Sequence, residues 1–121
     1  MNIFMTCAGR RVGLLQAFAS AVHPRNGIVV AGDMDGLAPT LFLADAAVRM
    51  PALDAPNYVA RLEDTIREFN IRLIVPTIDT ELLLLANNLE YLSQLGCVTL
   101  VSAASLITVL RDKYAMAQLF A

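Results

Sequence analysis

The sequence is poor in the residues on which several kinds of site depend. Its 121 residues include one histidine, two cysteines and no tryptophan, and aromatic residues make up only 7%. A zinc site needs more ligands than this chain offers, and so few aromatic side chains disfavour a platform for stacking bases. The net charge is -2, whereas nucleic-acid sites need a basic face. We therefore expect neither a metal site nor a nucleic-acid partner.

The two cysteines, Cys7 and Cys97, form neither a disulfide framework nor a Cys-x-x-Cys pair. This usage is typical of a reducing compartment and predicts a cytoplasmic protein. Two stretches imitate a signal peptide or a membrane span, Val12–Val22 after an arginine pair and the uncharged Tyr91–Leu110. A strand-like segment precedes the first stretch and several polar residues divide the second. We therefore expect no membrane partner.

What the chain has in excess is apolar residues. Hydrophobic residues make up 57% of the sequence and charged residues 17%, below the usual quarter or so for charged residues. The length fits one domain, and this composition excludes general disorder. Such an apolar surplus indicates a surface that another domain or a second copy covers.

Short apolar strands alternate with helices along the chain. The predicted strands are Asn2–Thr6, Gly27–Gly32, Ala46–Met50, Ile71–Val75 and Cys97–Val101. The predicted helices are Val12–Val22, Ala55–Phe69, Thr80–Leu95 and a short one from Ser102 to Leu110. Continuous apolar strands alternating with helices predict an α/β fold, a doubly wound, mainly parallel five-stranded Rossmann-like sheet with helices on both faces.

In such a sheet, ligands bind outside the carboxyl ends of the strands. That rule selects residues 6–11, 33–39, 76–81 and 102–105. The first of these loops departs from the dinucleotide fingerprint Gly-x-Gly-x-x-Gly, because with Gly9 as the middle glycine the other two positions hold Cys7 and Val12. A tight NAD site is therefore disfavoured. Arg10 and Arg11 are either partners for a carboxylate or phosphate or a solvated pair at a helix start.

The acidic residues at the strand ends allow two interpretations each. Asp33 could bond a ribose hydroxyl or cap the next helix, for which Asp35 is the better candidate. Asp79 and Glu81 could hold an ammonium group or simply complement a helix dipole. Cys7 has no histidine near it in sequence and is more typical of a small core residue than of a nucleophile. We predict no catalytic residue.

Three strand-end motifs together resemble a known family. They are Thr6-x-x-Gly9-Arg10-Arg11, Asp33-x-Asp35-x-Leu37-Ala38-Pro39 and Pro76-Thr77-x-Asp79-x-Glu81-Leu82. In order and spacing they are similar to the N-terminal domain of ATP-grasp ligases, in particular of proteins like the carbamoyl phosphate synthase large subunit. The resemblance runs along essentially the whole chain and continues into Asp112-Lys113-Tyr114, which looks like the start of the next domain.

The resemblance implies a domain boundary and a division of labour. Residues 1–111 would be the pre-ATP-grasp domain and residues 112–121 the start of the truncated ATP-grasp domain. The first domain lines one wall of the cleft and helps to bind a small carboxylate or amine substrate, while ATP and magnesium bind the following domains of the same chain. A carboxylate is activated as an acyl phosphate, so this chain alone would be inactive. The implied substrate-binding residues are Thr6, Gly9, Arg10, Arg11, Asp33, Asp35, Thr77, Asp79 and Glu81.

Two other functions and a dimer are also compatible with the sequence. The chain could be a free-standing NAD- or nucleotide-binding domain of an oxidoreductase or epimerase, or an interaction module whose strand-end residues are only caps. Surplus apolar residues predict a homodimer through one of two segments. These residues are Leu83 and Leu84 in one segment and Met116, Leu119 and Phe120 in the other.

Overall fold

The sheet is built from five short strands that alternate with helices, and the computed structural model describes residues 1–100. The strands are β1 (Asn2–Thr6), β2 (Val29–Asp33), β3 (Ala46–Arg49), β4 (Ile71–Pro76) and β5 (Val98–Thr99). The helices are α1 (Val12–Val22), α2 (Pro39–Leu43), α3 (Tyr58–Phe69), α4 (Asp79–Asn87) and α5 (Leu89–Gln94), and a 3-10 turn (His23–Arg25) follows α1. The predicted helix from Ser102 to Leu110, the loop 102–105, the boundary at residue 111 and the apolar segment with Met116, Leu119 and Phe120 lie outside the described residues.

All strand pairs are parallel, in the order β3-β2-β1-β4-β5. In the central strand β1, Phe4 pairs with Val30 of β2 and with Ile74 of β4. One apolar cluster, which includes Phe4, holds buried residues of α3, α4 and α5, and the other, which includes Ile3, holds Leu15 and Val22 of α1. The predicted doubly wound α/β sheet with helices on both faces is thus confirmed. Its switch point lies between β1 and β4.

The predicted single helix Thr80–Leu95 is wrong, since two helices meet at Asn88. This residue leaves helical geometry, with φ -114° and ψ 14°, and its side-chain amide donates to the Leu84 carbonyl at 2.8 Å. Asparagine competes in this way with the helical ladder. The leucines at positions 82, 85, 89 and 92 have the spacing of one helical stripe, but the break leaves Leu89 41% exposed, whereas Leu92 is fully buried.

Several element boundaries differ from the sequence prediction, and the starts of the second strand and of α3 differ most. The second strand begins at Val29 and not at Gly27, because the Gly27 amide turns back to the Val22 carbonyl at 2.9 Å. A Cβ on Gly27 would lie 2.2 Å from the Met1 carbonyl oxygen, so this close approach requires glycine. Helix α3 begins at Tyr58 and not at Ala55, because two turns precede it. In these turns the Ala55 amide donates to the Ala52 carbonyl at 3.0 Å and the Tyr58 amide donates to the Ala55 carbonyl at 3.1 Å.

Neighbouring leucines of α4 provide a matched test of this packing. Leu85 is fully buried in the core, whereas Leu83 is 70% exposed. Leu85→Ala should lower the free energy of unfolding by about 2–5 kcal/mol through lost burial and a cavity, and Leu83→Ala should change it by less than about 0.5 kcal/mol. Urea unfolding followed by circular dichroism measures both. Equal losses would contradict the orientation of α4.

Candidate functional site

A cavity of about 500 Å³ opens at the carboxyl edge of the sheet. The segments that follow β1, β2, β3 and β4 all contribute to its wall. Its lining residues are Cys7, Gly9, Asp33, Met34, Met50, Pro51, Ala52, Leu53, Asp54, Tyr58 and Ile78. Of the nine predicted substrate-binding residues, Gly9 and Asp33 belong to this lining.

The loop after β1 is held in a left-handed conformation between β2 and β4. Cys7 has φ +50° and Gly9 φ +53°. The amide of Ala8 donates to the Gly32 carbonyl at 3.0 Å. From the other side, the Thr77 hydroxyl donates to the Cys7 carbonyl at 2.5 Å. Thr77, one of the predicted site residues, therefore fixes the path of the loop.

The carboxylate of Asp33 is fixed by two backbone amides. Its Oδ2 accepts from the Gly9 amide at 2.8 Å and its Oδ1 from the Asp35 amide at 2.9 Å. The Gly9 amide is therefore already engaged by a negative group, in the place where a dinucleotide-binding loop offers free donors to a pyrophosphate.

Asp35 does not cap the next helix, and that prediction is wrong. Helix α2 begins at Pro39 after Ala38, with no side-chain cap. Asp35 instead accepts from the Leu37 amide at 2.9 Å, an Asx turn that ends before the helix starts. The short helix α2 itself was missed by the sequence analysis, since five residues carry too little periodicity to reveal it.

Glu81 lies beneath the loop after β1 and has no exposed surface. The hydroxyls of Thr6 and Tyr58 donate to its two carboxylate oxygens, and the Cys7 thiol lies close to it. These donors come from the end of β1 and the start of α3, while Glu81 itself lies in the first turn of α4. Asp79, two residues earlier, is exposed. Asp79 and Glu81, which are two positions apart in the sequence, thus occupy different environments, one exposed and one buried.

Burial controls the ionisation of this cluster. It raises the pKa of Glu81, outweighing the hydrogen bonds from Thr6, Tyr58 and Cys7, which lower it. Burial and the adjacent Glu81 charge raise the pKa of the Cys7 thiol to about 12 and also raise the pKa of the Tyr58 hydroxyl. Both groups are therefore neutral at physiological pH, and Cys7 lacks the thiolate that nucleophilic chemistry requires.

The remaining predicted residues lie outside the cavity wall. Arg10 and Arg11 are exposed just before α1, and neither lines the cavity. Asp79 lies in the first turn of α4, where a negative charge interacts favourably with the helix dipole. The structure thus brings Gly9 and Asp33 into the cavity, places Thr6, Thr77 and Glu81 behind it, and leaves the arginines on the surface.

The cavity also contains residues that were not predicted from the sequence, the segment Met50–Asp54 and Tyr58. The strand-end rule applied to the third strand would have selected residues 50–54, but that strand was not used in choosing the candidate loops. From the sequence, Tyr58 could be predicted only as part of a helix, because its hydrogen-bond partner Glu81 is 23 positions away.

The described residues, 1–100, offer neither a metal-binding cluster nor a membrane-spanning helix. Within them no group of three or more histidine, cysteine or acidic residues is arranged to hold a metal ion. No helix in the same part of the chain has the length and apolarity needed to cross a membrane. Both cysteines are free.

The architecture and strand-end cavity define a Rossmann-like domain, and comparison with known proteins gives the family. Residues 3–101 match the PylC-like N-terminal domain, so the chain belongs to that family. This agrees with the predicted relation to the N-terminal domain of ATP-grasp ligases. No curated protein sequence matches the chain.

Solved structures share the fold. One of them is glycinamide-RNase-transformylase T from Mycobacterium tuberculosis, with 18% sequence identity and a TM-score of 0.59. The match covers 98% of this chain and 34% of that one. The chain therefore corresponds to about a third of the relative's length, and the similarity at this identity shows the fold alone.

The ionisation of Glu81 can be tested through stability. Because its pKa is raised in the folded chain, the unfolded chain loses this proton first as pH rises, and ionisation then opposes folding. The advantage of the neutral carboxyl is complete below the ordinary value of about 4.5 and declines above it. The stability of the wild type should therefore fall relative to that of Glu81→Gln as pH rises from 4.5.

The measurement is urea unfolding of both proteins across pH 4 to 8. Glu68→Gln, which changes an exposed carboxylate of α3, serves as the control for loss of one negative charge. The quantity compared is the free energy of unfolding of the wild type minus that of each variant. If this difference for Glu81→Gln does not change with pH, or changes as it does for Glu68→Gln, Glu81 ionises normally.

Proposed function

We propose that this chain is the acceptor-substrate domain of an ATP-grasp ligase that activates a carboxylate, as in proteins similar to the carbamoyl phosphate synthase large subunit. The match of residues 3–101 to the PylC-like N-terminal domain carries the proposal. The cavity supports it, since its wall is assembled from four strand-end segments, where ligands of such sheets bind. The two free cysteines fit a cytoplasmic location.

In this proposal ATP and magnesium belong to other domains of the ligase. ATP there supplies the phosphoryl group that activates a carboxylate for attack by an amine. The described residues do not fit ATP or its metal, because they contain no metal-ligand cluster and the Gly9 amide is engaged by Asp33. This domain would position the acceptor substrate and exclude water from one side of it, and it would be inactive alone.

The homodimer remains part of the proposal. On α4, Leu83 is exposed, but Leu84 packs partly buried against the core. Leu83 is therefore the better contact candidate of the two predicted leucines.

A free-standing NAD-binding domain is the second candidate. The observation that favours it is Asp33, which follows the second strand and lies against the loop after β1. However, a pyrophosphate at Gly9 would have to displace the Asp33 carboxylate and would meet its negative charge. Cys7 also stands where the fingerprint has its first glycine.

Calorimetric titration of the folded chain distinguishes the two candidates. We expect no binding of NAD, NADH or magnesium-ATP in the micromolar range, because the loop offers no free Gly9 amide and no metal ligands. Micromolar affinity for NAD or NADH would contradict the ligase proposal and support the oxidoreductase or epimerase alternative.

The arginine pair yields a kinetic prediction for a ligase that contains this domain. If Arg10 and Arg11 bind an anionic group of the acceptor, replacing either by alanine should weaken use of that substrate by about 1.5–3 kcal/mol. Folding should hardly change, because exposed arginines contribute little to stability. The measurement is kcat/KM for the acceptor and for ATP.

Arg25→Ala is the matched control, since Arg25 is an exposed arginine at the other end of α1, in the 3-10 turn. A specific effect of Arg10→Ala or Arg11→Ala on the acceptor, absent in Arg25→Ala, is the expected result. Unchanged kinetics in both loop variants would remove this pair from the substrate site.

A further inference from the structure

The charge of the cavity wall is of one sign. Among the lining residues of the described part of the chain, 1–100, the charged ones are Asp33 and Asp54, and none is lysine, arginine or histidine. Arg49, the last residue of β3, donates from its Nε to the Met34 carbonyl and is not part of the lining. A phosphate or carboxylate placed inside would therefore meet repulsion from the two aspartates, with no cationic side chain among the described lining residues.

The rest of the wall is largely apolar. Six of its side chains present methyl, methylene, thioether or ring carbon surface, namely Met34, Met50, Pro51, Ala52, Leu53 and Ile78. The Tyr58 hydroxyl donates to Glu81 behind the wall. The volume of about 500 Å³ lies within the range of small-molecule sites.

The two carboxylates remain able to accept hydrogen bonds. Each oxygen of Asp33 takes one backbone amide, which leaves a lone pair on each for a ligand donor. The amides also hold the carboxylate in place, so binding requires little further ordering of this side chain. The carboxylate of Asp54 has no hydrogen bond or ion pair within the described part of the chain, and it is exposed at the cavity.

From the acidic, otherwise apolar wall we infer that the cavity binds a primary amine with a compact apolar body, and that it rejects ligands whose cavity-bound part carries a carboxylate or phosphate. The ammonium group interacts with Asp33 and Asp54, and the apolar body displaces water from the wall of methionine, proline and leucine. The identification of this amine as the acceptor substrate rests on the proposed function; its binding does not.

The test uses three probes with one common body: cyclohexylmethylamine, cyclohexylmethanol and cyclohexanecarboxylate. The isotope-labelled chain is titrated with each, and amide chemical shifts give both the affinity and the location. The amine should bind at least tenfold more tightly than the alcohol, with shifts at Gly9, Asp33 and Ala52. The carboxylate should not shift these amides.

Charge-removing variants separate the ion pair from apolar contact. Asp54→Asn should weaken binding of the amine roughly tenfold and leave binding of the alcohol unchanged. Asp33→Asn should act in the same direction, and Asp54→Asn keeps the test valid if the loop is disturbed. Asp64→Asn, an exposed acid of α3 outside the cavity, is the control for net charge. Ala52→Phe should weaken the amine and the alcohol alike.

Each outcome decides the inference. The inference is supported if the cavity amides shift and the amine binds more tightly than the alcohol. This preference should disappear in Asp54→Asn and remain in Asp64→Asn. The inference is overturned by tighter binding of the carboxylate at the cavity, by equal binding of amine and alcohol, or by no cavity shift with any probe. Micromolar NAD binding would overturn the proposed function without changing these results, so the two failures are distinguishable.

Discussion

The buried carboxyl of Glu81 is the interaction on which the geometry of the site depends. A carboxyl without solvent contact is costly unless its oxygens find donors, and here the hydroxyls of Thr6 and Tyr58 donate to it while the Cys7 thiol lies close by. These groups belong to the end of β1, the start of α3, the loop after β1 and the first turn of α4. Displacing any one of these segments would leave a buried polar group without its partner, so the segments are held together.

Two smaller constraints extend this arrangement to the cavity wall. The Thr77 hydroxyl ties the loop after β1 to the end of β4, and the Asp33 carboxylate ties Gly9 to the end of β2. The loop between them therefore has little freedom to rearrange around a ligand. A wall fixed in advance favours binding by shape and charge, because little conformational entropy remains to be lost.

The sequence predicted the sheet because its three central strands, β2, β1 and β4, are short, mostly apolar and mostly buried runs, which local composition and length reveal. It could not predict the pairing of Thr6 with Glu81, since these residues are 75 positions apart and nothing local distinguishes a buried glutamate from one at a solvated helix start. The break at Asn88 was not predicted, for the opposite reason. A strong leucine stripe masked a local competition between the asparagine side chain and the helix backbone.

Cys7 shows how the site differs from a dinucleotide loop. A non-glycine residue in the left-handed region costs roughly 1–2 kcal/mol, and glycine at this position would avoid that strain at φ +50°. Glycine would, however, remove the side chain that lies beside Glu81 and lines the cavity wall. The Thr77 hydroxyl, bonded to the Cys7 carbonyl, helps to hold the strained conformation in place. The cysteine is therefore explained by its packing beside Glu81 and in the cavity wall, and the loop it builds is closed to phosphate at Gly9 and open to a ligand beside Asp33.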